Sequence, residues 1–171
     1  MVIRIIVPPR IGAAIKGLET FPARVLQGIA KALDLENELT VGHIVATRMT
    51  GTGPFPAEEG KLGVRTGRLR RSLRPSQARV VGSYVLSSIG TNVEYAGIHE
   101  FGGTIPAHDI RPKKGKALRF MVGGAVIFAS RVHMPAVTMP RRAPISRGIE
   151  ERVENYRHAV GAAVLSTWDQ T

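Results

Sequence analysis

A chain of 171 residues, 43% of them hydrophobic, is long enough for one domain with its own core and too short for two. Its 24 Lys and Arg against 13 Asp and Glu leave a net charge of +11, which points to an anionic partner or a carboxylate-rich protein surface. The lack of any cysteine excludes disulfide scaffolds, thiolate catalysis and Cys-ligated zinc.

The N-terminus opens with a short apolar stretch, Val2 to Val7, which reads as an extension or strand within residues 1–20. Arg4, Pro8 and Pro9 interrupt it too early for a signal-peptide core, and no apolar run approaches the roughly 20 residues that span a bilayer. A soluble, intracellular product with no membrane contact is therefore expected. A first helix is predicted over 21–49, with Thr20 as N-cap and Phe21, Val25, Ile29 and Leu33 one turn apart. Its stripe blurs at Asp34 to Glu38, which leaves open whether the helix runs unbroken.

A Gly- and Pro-rich loop follows over 50–66, then a β-rich centre over 67–142. Two hairpins stand out there. Ala78 to Val81 and Tyr84 to Ser87 flank Gly82-Ser83, and Ala117 to Val122 and Ala125 to Ser130 flank Gly123-Gly124, loops suited to primed turns. A second long loop is expected from Gly102 to Lys116, where length and composition suit an assembly arm or a bare surface loop. A final helix is predicted over 144–168, with Pro144 in its first turn and Ile145, Ile149, Val153, Tyr156, Val160 and Trp168 along one face. The sum is a single α+β domain over 1–171: a mainly antiparallel sheet of at least four strands packed against two long helices, with two extended loops.

The charge is not spread evenly. Residues 1–60 hold 6 basic and 6 acidic side chains, 61–142 hold 15 and 3, and 143–171 hold 3 and 4, so the centre carries the whole surplus. Arg65, Arg68, Arg70, Arg71 and Arg74 fall within ten residues; in a short helix Leu69 and Leu73 would face inward and the arginines outward. Lys113, Lys114 and Lys116 add a second basic group in the long loop. Arginine makes up eighteen of the 24 cations and suits bidentate pairing with carboxylate or phosphate. No aromatic residue is interleaved with the arginines, which disfavours a base-stacking platform.

Signals for catalysis are weak. Gly60-Lys61 and Gly115-Lys116 lack the glycine spacing and the Ser or Thr of a phosphate-binding loop, and His99-Glu100 lacks the second histidine of a zinc-protease helix because position 103 is Gly. His99, His108, His133 and Asp109 are the remaining candidates for a metal site or an acid/base pair. His99, beside Tyr95 and Phe101, reads more readily as a packed structural residue. Neither enzymatic activity nor a cofactor or metal is expected.

Four segments in order, Thr66-Gly67-Arg68-Leu69-Arg70-Arg71-Ser72, Tyr95-Ala96-Gly97-Ile98-His99-Glu100-Phe101-Gly102-Gly103, Lys114-Gly115-Lys116-Ala117-Leu118-Arg119-Phe120 and Met139 to Pro144, resemble the tail-completion and head–tail joining family of tailed bacteriophages. The likeness covers roughly residues 20–165. It departs before the last helix, where the family tends to show Pro-Ala-Arg-Pro-Phe and this chain has Pro140-Arg141-Arg142-Ala143-Pro144-Ile145. The resemblance implies a non-enzymatic virion protein, assembled in the host cytoplasm, that forms a ring and contacts other head, neck or tail proteins close to packaged DNA. Within it, Tyr95 and Phe101 are expected to anchor a turn, Gly102 and Gly103 to adopt angles closed to other residues, and Glu100 to be free to pair with an arginine, the alternative being that it caps a turn or sits in solvent. The basic centre and the acidic face of the last helix (Glu150, Glu151, Glu154) would be complementary patches in such a ring. The alternative is a basic, sequence-independent nucleic-acid-binding protein using the same arginines.

Overall fold

The computed structural model describes residues 23–51, 60–113 and 115–168. The expectations for Val2 to Val7, Thr20, Phe21, Lys114 and the middle of the 50–66 loop lie outside the described residues. One long helix, α1 (Ala23–Thr47), organises the rest. It runs unbroken through Asp34 to Glu38 because three polar residues there have partners. Asp34 accepts the Ala78 backbone N–H at 2.6 Å, Glu36 accepts Arg152 Nε at 2.8 Å, and Asn37 Oδ1 accepts the Tyr156 hydroxyl at 2.7 Å. The blurred stripe is a helix face lined with polar contacts.

After α1 the chain turns back at Gly51, which pairs with Gly63, and enters the short helix α2 (Arg68–Ser72). Leu69 and Leu73 are buried there, as their spacing predicts. Four short strands follow as one bent hairpin: β1 (Arg74–Pro75) pairs with β4 (Ile89–Gly90), and β2 (Arg79–Val81) with β3 (Tyr84–Leu86) around Gly82-Ser83. Helix α1 packs against this hairpin. Helix α3 (Ala96–Phe101) then leads into a second, much longer hairpin.

The long hairpin overturns the expected sheet. Strands β5 (Gly103–Ile105), β6 (His108–Ile110) and β7 (Leu118–Val122) pair antiparallel with β10 (Val137–Met139), β9 (Val132–Met134) and β8 (Ala125–Ala129). The two predicted hairpins never join: every sheet among the described residues is two-stranded. The physical reason is the course of Gly102 to Lys116. Six of the fifteen residues of that predicted loop are strand, returning beside Val132–Met139, so the ribbon projects as an arm and does not pair with β2 and β3. Pro106-Ala107 faces Pro135-Ala136 where the ladder pauses, since proline has no N–H to contribute. The predicted turns do hold. Gly123 and Gly124 both take positive φ, +56° and +85°, as a type I′ loop requires, and Val122 pairs directly with Ala125.

The last helix is also divided. Helix α4 (Pro144–Glu150) and helix α5 (Val153–Trp168) are separated by a turn at Glu151-Arg152, whose side chains reach back to α1. Arg152 meets buried Glu36, and Glu151 pairs with Arg48 and with His43 Nε2 at 2.7 Å. Helix α5 lies antiparallel to α1, with Tyr156 beside Asn37 and Thr167 beside Gly28. A Cβ at Gly148 would run into Ile44, so the glycine sets how closely α4 approaches α1. The core gathers Ile44, Met49, Leu62, Leu69, Leu73, Ile89, Val93, Ala96 and Ile145. Among the described residues no helix is long and apolar enough to cross a membrane.

Candidate functional site

The segment around Thr66 is shaped by its own side chains. Gly67 precedes α2 with φ +68°, and Thr66 Oγ1 accepts the Arg68 N–H at 3.4 Å. Arg71 folds over that glycine and its Nη2 donates to the Thr66 carbonyl at 3.1 Å, while Arg74 Nη1 donates to the Leu73 carbonyl at 2.8 Å. Two of the five clustered arginines thus spend their guanidinium groups on local backbone. The other three, Arg65, Arg68 and Arg70, line a groove of about 650 Å³ together with Arg142. None of these four has a charged side-chain partner among the described residues. The floor is apolar, made by Met49, Leu62, Val64 and Leu69. Four like charges beside an apolar floor favour a ligand that brings both carboxylate or phosphate and hydrophobic surface.

The wall of the groove is the second motif segment. Tyr95 and His99 line it and stack edge to face, their ring centroids 6.0 Å apart. Burial first, and the Arg142 guanidinium second, hold the His99 imidazole below its ordinary value of 6.5. Tyr95 and Phe101 are exposed and do not anchor the turn as expected; the buried members are Ala96 and Glu100. Exposure of Phe101 follows from its position on α3, since Glu100, one residue earlier, takes the inward face.

Glu100 is 1% exposed, and its carboxylate accepts from backbone rather than from an arginine. Its Oε2 accepts the Ile145 N–H at 3.0 Å and its Oε1 the Ser146 N–H at 2.9 Å, so the carboxylate caps the first turn of α4 from a distant part of the chain. The capping alternative is the one observed. The helix's own N-cap residue, Ala143, has φ +46° and offers no side-chain cap. Backbone bonds complete the joint: Arg142 and Ala143 donate their N–H groups to the His99 carbonyl at 3.0 and 3.1 Å, and Arg141 Nε donates to the Glu100 carbonyl at 3.3 Å. Gly102, φ +72°, is required because a Cβ there would lie 2.9 Å from the Arg141 nitrogen. Gly103, φ +141°, starts the arm.

The remaining candidates are scattered. His133 Nδ1 lies 3.0 Å from Asp109, which also faces Arg131 at 3.5 Å, all on one exposed face of β6–β9. His108 belongs to the opposite face, across from Met134, and His99 is in the groove wall. Among the described residues no group of His, Asp and Glu could hold a metal ion. Lys113 and Lys116 are exposed between β6 and β7. The acidic face of the last helix is largely engaged within the chain: Glu151 pairs with Arg48 and His43, Glu154 with Arg157, and Glu150 is left exposed. Sequence reading did not single out Arg142 and Met139 as groove residues, although both lie in or beside the proline-rich motif. It had no signal for the Glu36–Arg152 pair, 116 positions apart. Comparison of the chain with protein-family profiles, curated proteins and solved structures returned no match.

Proposed function

We propose that the chain is a structural, non-enzymatic virion protein of a tailed phage or prophage, a ring subunit that completes the tail or joins it to the head. The observation that carries this reading is the arm: none of the described residues from 101 to 142 is buried. A two-stranded ribbon is marginally stable by itself and gains most from a surface to lie on. The resemblance supplies the kind of assembly, and three of its four segments contribute to one groove, through Thr66 to Arg70, Tyr95 with His99, and Met139 with Arg142. In this reading the groove receives an acidic, partly apolar segment of a neighbouring virion protein.

Changing Arg65, Arg68 and Arg70 together to Glu, while leaving the structurally engaged Arg71 and Arg74 in place, is expected to yield unjoined heads and tails with the protein still folded. Full-titre infectious particles would sink the reading. The unpaired arginines also suit phosphate, which favours nucleic-acid binding as a second reading. That reading expects duplex DNA affinity that falls steeply with salt, and a flat titration at low salt removes it.

A further inference from the structure

The groove beside α2 and α3 gathers cations without a balancing acid. Arg65, Arg68, Arg70 and Arg142 line it, and among the described residues no Asp or Glu does. Glu100, next to His99 in the chain, is committed to the two amides that open α4. Like charges on one surface repel, so an anion seated among them is attracted by all four at once. The rest of the lining is mainly apolar, with Met49, Leu62, Val64 and Leu69 as its floor. A sugar–phosphate strand would leave that floor uncovered. A peptide that carries carboxylates beside large apolar side chains meets both surfaces.

One titratable side chain in the groove wall changes its charge near neutral pH. His99 shares the groove with Arg65, Arg68 and Arg70 around α2, with Arg142 ahead of α4, and with Tyr95 on its own helix. Its carbonyl accepts the N–H groups of Arg142 and Ala143, and its ring is set edge to face against Tyr95, so the imidazole has a fixed place. Of the two ring nitrogens, Nδ1 is buried without a partner and Nε2 is not, which leaves Nε2 as the atom a ligand can reach. Burial and the Arg142 charge both oppose protonation of this ring. A carboxylate among the arginines offsets the second effect and gives the ring a charged acceptor, so bound ligand and bound proton favour each other.

We infer that the groove takes a carboxylate-rich, partly apolar peptide segment together with a proton on His99, so that docking tightens as the medium acidifies. This inference rests on the reading of the groove as the docking place of a neighbouring virion protein, and it adds what the groove recognises and how acidity regulates it. The coupling is reciprocal: whatever factor the ligand adds to the ring's hold on a proton, the proton adds to the chain's hold on the ligand. One linked proton changes affinity by at most about tenfold per pH unit. The ligand's own carboxylates lose their charge below about pH 5 and reverse the trend, so the tightest binding falls between the two titrations.

The test uses the full-length chain and a synthetic peptide, acetyl-Leu-Glu-Glu-Phe-Glu-Glu-amide. Isothermal titration from about pH 7.5 to about pH 5.5 should show the dissociation constant falling about tenfold. The His99 ring resonance, assigned by its loss in His99→Asn, should titrate at higher pH with the peptide than without it. His99→Asn should flatten the pH profile, while His158→Asn on α5, outside the groove, should keep it. Exchanging the peptide's Leu and Phe for Ser should weaken binding several-fold. An unchanged dissociation constant across the range, or the same slope in His99→Asn, overturns the inference. So does a short DNA duplex that competes for the groove and binds more tightly than the peptide at equal salt. No peptide binding at either pH, with unjoined heads and tails from the Arg65, Arg68 and Arg70 to Glu variant, overturns this ligand and leaves the ring reading standing. Proton-linked peptide binding, with full-titre particles from that variant, supports the site and refutes its role in joining.

Discussion

Residues 96–102 with 139–146 form one region of this molecule, and residues 103–138 between them form another with the opposite physics. In the first, a carboxylate is buried: Glu100 is 1% exposed and closes α4 by accepting two backbone N–H groups. In the second, Phe128 and Met121 stand in solvent on a ribbon none of whose described residues is buried. Burial usually sorts residues the other way. The contrast teaches that polarity alone assigns neither region. The carboxylate is inside because it satisfies helix-end donors, and the phenylalanine is outside because no described residue of the chain covers it. A joint of the first kind holds the base of the arm fixed, so the second region projects from a defined place.

Removing the joint is expected to have the largest effect. Glu100→Ala leaves two backbone N–H groups at the start of α4 without acceptors, one buried and one part-buried, each worth about 1–3 kcal/mol, so a loss of about 2–6 kcal/mol is expected. Urea denaturation followed by circular dichroism measures it. Glu100→Gln keeps one acceptor oxygen and should lose clearly less; equal losses would mean that charge, not acceptor number, holds the helix end.

Changes at the end of the arm should do the reverse. Phe128→Asp and Met121→Asp touch no buried residue, so the urea midpoint should move by no more than about 0.5 kcal/mol of stability. Their effect is expected in assembly, as loss of rings. A stability loss as large as that of Glu100→Ala would instead make the arm part of the fold and erase the contrast.

How much of this could be read from residues alone differs between the two regions. Gly82, Gly123 and Gly124 marked the tight turns, Leu69 and Leu73 the buried side of α2, and Gly102 a backbone angle closed to other residues, because each is a local demand on backbone or spacing. Non-local pairings were not legible. Nothing in Gly102 to Lys116 announces that its strands return beside Val132–Met139, and apolar alternation in β7 and β8 looks the same whether the covering surface belongs to this chain or to another. The arginine cluster was visible as charge. Its division into Arg71 and Arg74, engaged with backbone, and Arg65, Arg68 and Arg70, facing the groove, depends on where Thr66 and Leu73 present their carbonyls.

The smallest expected effect separates the regions by pH. His99 in the groove wall has its pKa lowered by burial and by Arg142, so the unfolded chain takes up a proton near 6.5 that the folded chain accepts only at lower pH. Its contribution to stability is therefore complete above 6.5 and declines as pH falls through 6.5 toward the folded value. Tyr156 behaves in the opposite sense at the other end of the scale. Burial raises its pKa, Thr40 and Arg152 oppose the shift and Glu36 reinforces it, so the folded chain keeps the phenolic proton above 10.0 while the unfolded chain loses it. Stability should fall as pH rises past 10. Urea midpoints across pH, compared with His99→Asn and Tyr156→Phe, isolate each group from the carboxylates that titrate at lower pH. The acid-side slope should shrink in His99→Asn and the alkaline slope in Tyr156→Phe, while Phe128→Asp should retain both, because the end of the arm contributes to neither buried site.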